Sequence, residues 1–308
     1  MVELTPDPSS VRVDGPWTHR DVSANGIRLH VAECGEGPLV LLLHGFAGFW
    51  WTWRHQLPAL ADAGFRAVAV DLRGYGDSDK PPRGYDAWTL AGDVGGLIKT
   101  LGARRAHLVG HAWGGMLAWT VAALHPRLVS SVTAIGAAHP LAFKSAVKRA
   151  SSQIRAAGHL FRFQVPMAPE KWLVRDNAAA VEELFAKWSG ETWRSSSDFA
   201  ETMPPFRQAM LVPGVAHSAL EYYRWAFRAQ FRGEGRRFTD AVNGRISAPV
   251  LQLHGADDTC ILPETALSSV HWAGPHSEPK IWSGIGHFPH LEDPDRVTKS
   301  VVDFIQGT

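Results

Sequence analysis

The chain predicts an α/β fold, a mostly parallel, doubly wound sheet with a helical unit inserted into it. Three observations carry that prediction. Short apolar runs of strand length alternate with stretches of helical period and short connections. The runs are apolar throughout rather than at every second residue, as in strands covered on both faces. Between about 138 and 246 the alternation stops, and only helix-like segments rich in Trp, Phe, Arg and Ala remain.

The elements follow in order. The opening MVELTPDPSS and the residues after it are polar and proline-rich, so 1–18 reads as a flexible arm and not as a signal peptide. Asn25-Gly26 lies between alternating stretches at 20–23 and 27–32, a strong hairpin signal. Buried strands are expected at 38–43 (PLVLLL), 65–72, 106–110, 129–136, 248–255 and 279–284. Helical patterns separate most of them, at 52–62, 87–102, 113–125, 263–272 and 294–306. The expected division is a core of 19–137 and 247–308, with a helical cap at 138–246.

Composition narrows the function. The chain has 308 residues, 45% hydrophobic and 20% charged with net charge +1, so nothing calls for nucleic acid. No apolar run is long enough to span a bilayer. The two cysteines, Cys34 and Cys260, lack ligand spacing, so no metal or other cofactor is expected. Two cysteines also suit a reduced, cytoplasmic setting, with a single disulfide left open. Among thirteen tryptophans, Trp50 and Trp51 stand with Trp53 beside a glycine-containing loop. They read either as core or as the wall of an apolar pocket. The segment 139–169 carries Lys144, Lys148, Arg149, Arg155 and Arg162 and no acid. It reads as a solvated basic face, with weak membrane-surface contact as the alternative. Nothing in the chain sets an oligomeric state.

Residues 108–119, LVGHAWGGMLAW, have the form of a nucleophile elbow, the sharp strand-to-helix turn G-x-Nuc-x-G. The nucleophile position holds Ala112. Ligands of such sheets collect beyond the carboxyl ends of the strands. There the chain places His44-Gly45-Phe46, Arg73-Gly74, the elbow, Asp257-Asp258 and Gly286-His287. The order nucleophile, acid, histidine is that of the α/β-hydrolases.

With HGFAGFWWTWRHQLPAL (44–60), DLRGYGDSDKPP (71–82), GHAWGG (110–115), HGADDTCILP (254–263) and GIGHFPHLEDP (284–294), the chain resembles the epoxide hydrolase branch of that family. The resemblance covers nearly everything after the first twenty residues. It implies an α/β-hydrolase core with a cap, and an Asp at 112 that would attack an epoxide carbon to form an ester. His287 would be the base that activates water on that ester. Asp258 fits the G-x-x-D position of the acid orienting the base, and a one-residue shift would favour Asp257. The amides of Phe46 and Trp113 would hold the oxyanion. Tyr223, in LEYYRWAF, would protonate the opening oxygen from the cap. His159 falls where a second cap tyrosine is expected, with Tyr222 beside the site. His44, Trp50, Trp51, His159 and Tyr222 are the expected pocket residues. Ala47 stands where relatives often have proline.

Ala112 sets the alternatives. A methyl group cannot attack, so this chain is expected to be a very poor covalent hydrolase even where the scaffold is intact. The substrate implied is a small to medium apolar epoxide, opened to a diol. A non-catalytic protein that binds a hydrophobic ligand and a haloalkane-dehalogenase-like hydrolase are the other readings, and a serine esterase is disfavoured because no Ser occupies the elbow. A natural replacement at 112 fits the changes at Ala47 and the second cap tyrosine, and an engineered one fits an otherwise intact relative.

Overall fold

The structure, a computed structural model, describes residues 6–274 and 276–308. Its sheet has eight strands: β1 (Thr18–Ala24), β2 (Ile27–Cys34), β3 (Leu39–Leu43), β4 (Arg66–Val70), β5 (Ala106–His111), β6 (Val129–Ile135), β7 (Val250–Gly255) and β8 (Ser277–Trp282). Their spatial order is β1-β2-β4-β3-β5-β6-β7-β8. The first two pairings, β1 with β2 and β2 with β4, are antiparallel, and the rest are parallel.

The hairpin forms at Asn25-Gly26, both with positive φ. All five residues of β3, LVLLL, are buried, because helices cover both faces of the central sheet. β8 lies at the sheet edge and is largely uncovered, which is why its sequence is mixed. It also runs two residues earlier than the apolar reading of 279–284.

Every regular element between β6 and β7 is helical. The longest, Ala168–Trp188, breaks at Arg175–Ala178, where three consecutive residues take positive φ. Arg207 secures that break by donating to the Asp176 and Asn177 carbonyls. The helix Val215–Ala229 buries a wide face that includes Val215, Ala219, Leu220, Tyr222 and Tyr223. Apolar positions spaced three and four apart bring that face down onto the sheet's carboxyl edge.

The expected loose arm is not loose over residues 6–17. Val11 is buried, and its carbonyl accepts from Trp50 Nε1 at 2.8 Å. Arg12 donates to Asp77 at 2.6 Å and to Asp21 at 2.7 Å. Proline-rich polarity is an unreliable sign of disorder where a single buried valine and a charge clamp pin the chain. Residues 1–5 lie outside the described residues.

Candidate active site

The site grows from the ends of β3, β5, β7 and β8. Ala112 joins β5 to the helix Trp113–Leu124 with φ 47° and ψ −112°. This is a strained conformation for a residue with a Cβ, and it costs about 1–3 kcal/mol. The turn survives because its neighbours are glycines: a Cβ on Gly114 would run into the Leu43 and His44 carbonyls of the adjacent loop. The elbow geometry is therefore complete without its nucleophile. Neither Phe46 N–H nor Trp113 N–H donates to a protein acceptor among the described residues. Trp113 is the first residue of its helix, where an amide has no intrahelical partner.

Asp258, beyond β7, is buried and fully engaged. One oxygen accepts from the amides of Cys260 (2.7 Å) and Ile261 (2.9 Å). The other faces His287 Nδ1 at 2.8 Å and His254 Nε2 at 3.2 Å. Burial alone would raise the Asp258 carboxyl, but the charge on His287 and the bonds from His254 and His287 outweigh it and hold it well below the usual range. His287 shows the converse. Burial disfavours its cation, yet Asp258, with Cys260 behind it, holds the imidazolium well above its ordinary value. Asp257, the competing choice, is exposed and points no carboxylate at the histidine.

The loop carrying His287 is stapled to the helical segment between β6 and β7. His287 N donates to the Trp188 carbonyl at 2.8 Å. The Glu292 carboxylate accepts from Gly286 N (2.8 Å), Phe288 N (3.0 Å) and Gly190 N (3.0 Å). A Cβ on Gly286 would collide with Ser189 and Gly190, so the close approach requires glycine. His111 turns away from the elbow tip and meets the His287 carbonyl at 2.9 Å through Nε2.

These groups open on one apolar cavity of about 270 Å³. Ala112, Trp113, Phe46, His159, Tyr222, Tyr223, Cys260 and His287 all line it. Tyr223 packs edge-on against Trp113 and Phe46, with ring centroids 5.1 Å and 5.2 Å away. Burial pushes its hydroxyl well above the usual phenol range, so it stays a proton donor. The Tyr222 ring lines the wall, but its hydroxyl is spent on the Arg73 carbonyl at 2.8 Å. His159 packs edge-on to Tyr223 and tilted against Trp188, and burial, with His287 nearby, depresses it to about 3. It is neutral at pH 7.

Three expected pocket residues lie elsewhere. His44 is buried beneath the loop, accepting from Leu72 N at 3.1 Å. Trp50 packs against Trp17 and His19 under the arm. Trp51 stacks on Phe49 and beneath Arg54. The tryptophan cluster is core and not cavity wall. Ala47 has φ 57°, a conformation proline's ring forbids, so this loop is built differently from one with proline there.

Sequence reasoning missed His254, Cys260, Trp188 and Glu292. Only Cys260, two residues beyond the acid in DDTC, had a positional hint. Its thiol lines the same cavity as His287, and burial pushes it up, so it remains a thiol. Among the described residues no cluster of metal-ligating side chains occurs, and no helix is long and apolar enough to cross a membrane.

Comparison with known proteins agrees with this geometry. The family described as alpha/beta hydrolase fold matches residues 38–294. Epoxide hydrolase A of Mycobacterium tuberculosis is 32% identical over 95% of this chain and 98% of its own length. Epoxide hydrolase 4 of Mus musculus is 29% identical over 92% of this chain and 78% of its own. A Bacillus megaterium epoxide hydrolase in complex with an inhibitor superimposes with TM-score 0.80 at 26% identity, over 93% of this chain and all of that one. An epoxide hydrolase from an endophytic Streptomyces gives TM-score 0.79 at 26% identity, covering 96% of each chain. With the elbow, the Asp258–His287 pair and the apolar cavity in one place, the chain belongs to the α/β-hydrolase fold family, in its epoxide hydrolase branch.

Proposed function

We propose that this chain is an epoxide hydrolase-type enzyme for a small to medium apolar epoxide, opening the ring by water and without an ester on residue 112. The observation that carries the reading is the 2.8 Å Asp258–His287 pair, which faces the same cavity as Tyr223 and the Ala112 methyl. Water oxygen would attack one epoxide carbon while His287 takes its proton. Tyr223 would give its hydroxyl proton to the departing oxygen, which yields the diol, and would recover it from the imidazolium or solvent. Asp258 orients the imidazole and stabilises its cation. Losing a nucleophile from such a group costs a factor of about 10⁶, so the rate is low.

A second reading has its own observation. The one residue that would make the reaction fast is a methyl group, which suits a protein that binds a hydrophobic ligand and does not turn it over. One substitution separates the two. Ala112→Asp is expected to convert aryl or alkyl epoxides to diol with a burst of epoxide consumption, the ester being detectable by intact mass. A folded Ala112→Asp protein inert toward a broad panel would favour the binding reading. In ¹⁸O-water, single-turnover label from the unsubstituted chain should enter the diol. Label in the protein would exclude direct water attack.

A further inference from the structure

We infer that the cap docks on an anionic lipid surface through the rim of the cavity mouth, which would let an apolar substrate pass from bilayer to cavity. The passage rests on reading the cavity as a substrate site; the docking does not. Lys148, Phe161 and Gln230 both line the cavity and are exposed, so they mark its mouth.

The rim there is apolar. Phe161 is 50% exposed and Phe231, next to Gln230, is 77% exposed. They are joined through Phe227, with ring centroids 6.2 Å and 5.5 Å from it. Val165 and Met167 continue the exposed apolar surface along the chain from Phe161. Large apolar side chains grouped at a pocket mouth mark an interaction site, whereas single ones are ordinary.

Charge chooses the partner. Lys144, Lys148, Arg149, Arg155 and Arg162 have no ion-pair partner among the described residues. Of the acids beside these cations, Glu170 and Glu221 pair with Arg224 and Glu234 with Arg232, which leaves Asp240 as one unpaired acid against five cations. A two-fold contact between copies would bring these unneutralised cations against each other. An anionic lipid surface accepts both the cations and the phenylalanine tips.

Co-sedimentation of the full chain with vesicles tests this. Binding is expected to vesicles of phosphatidylcholine with phosphatidylglycerol, and weakly or not at all to phosphatidylcholine alone, and to fall with added salt. Phe231→Ser should lower the partition about tenfold, and Arg155→Glu with Arg162→Glu should remove the phosphatidylglycerol preference. In Phe231→Trp, the added indole's emission should shift to the blue on anionic vesicles. A full chain that stays in the supernatant with both vesicle types overturns the inference. So do folded Phe231→Ser and charge-reversed variants that co-sediment like the parent. A dimer in solution that Phe231→Ser splits, with no vesicle binding, would assign the face to a second copy instead. Diol formation by Ala112→Asp from a water-soluble epoxide needs no vesicles, so failure of the ring-opening reading and failure of docking are separate results.

Discussion

At the scale of single residues, the site stores two kinds of free energy, one in backbone strain and one in charge. Ala112 keeps the elbow's unfavourable φ and ψ with no chemistry to justify them. Ala112→Gly should therefore stabilise the fold by about 1 kcal/mol, since glycine adopts that conformation with little strain and only part of the gain is lost to unfolded-state entropy. Urea unfolding measures it, and an unchanged or lower midpoint would mean the turn is not strained. The charge is held by Asp258 and His287. A base whose pKa is raised above its unfolded value lends stability that is complete below about pH 6.5 and is lost as pH rises through the folded value. A carboxyl whose pKa is depressed lends stability present above about 3.8 and lost as pH falls through its folded value. The pair thus contributes most between those two limits and fades on the alkaline side. Water attack needs neutral His287, so the slow hydrolysis should rise with pH beyond neutrality. Asp258→Asn removes the carboxylate that holds the proton, so the imidazole resonances should titrate at lower pH than in the parent. No change would show that Asp258 does not set the histidine's charge.

At the scale of elements, the loop after β8 is positioned by contacts the linear motif does not contain. Glu292 accepts three backbone N–H groups, two from the His287 loop and one from Gly190 in the helical segment between β6 and β7. Glu292→Ala leaves those donors without their acceptor and is expected to cost about 3 kcal/mol in urea unfolding, with His287 displaced from Asp258 and any residual turnover reduced. Glu292→Gln keeps a carbonyl acceptor and should lose less. Equal losses in the two variants would mean that the hydrogen bonds do not hold the loop. The helix Val215–Ala229 shows the same dependence on surroundings. Its periodicity put Tyr223 on the buried stripe and Tyr222 about 100° away. Both rings are buried, and what distinguishes them is the Arg73 carbonyl that takes the Tyr222 hydroxyl.

At the scale of the whole molecule, the start of the chain is part of the core. Val11 and Arg12 cover Trp50 and clamp Asp77 and Asp21, on the antiparallel side of the sheet. Beneath them the half-buried His19 leads to the buried His30 and Asp71 through contacts of 2.9 Å and 2.8 Å. Deleting 1–12 should expose that edge and lower Tm by about 5 °C. Cavity chemistry should be spared, because none of these residues lines it. A truncated protein melting with the full chain would show that the arm contributes nothing.

What the sequence determined by itself is the part set by local period and by short motifs. Strand runs fixed the sheet, the G-x-x-x-G turn fixed the elbow, and the residue after each strand fixed which side chains meet at the carboxyl edge, Ala112, Asp258 and His287 among them. These are legible because a strand end points its loop to one place in a parallel sheet. Tertiary structure alone decided that Trp50 and Trp51 face the core, that His44 supports a loop, that Cys260 and Trp188 complete the wall, and that the early chain is pinned. Those outcomes depend on which surface a side chain meets across the molecule. A ring buried beneath the arm and a ring lining a cavity are written with the same letters, and only packing between distant segments separates them.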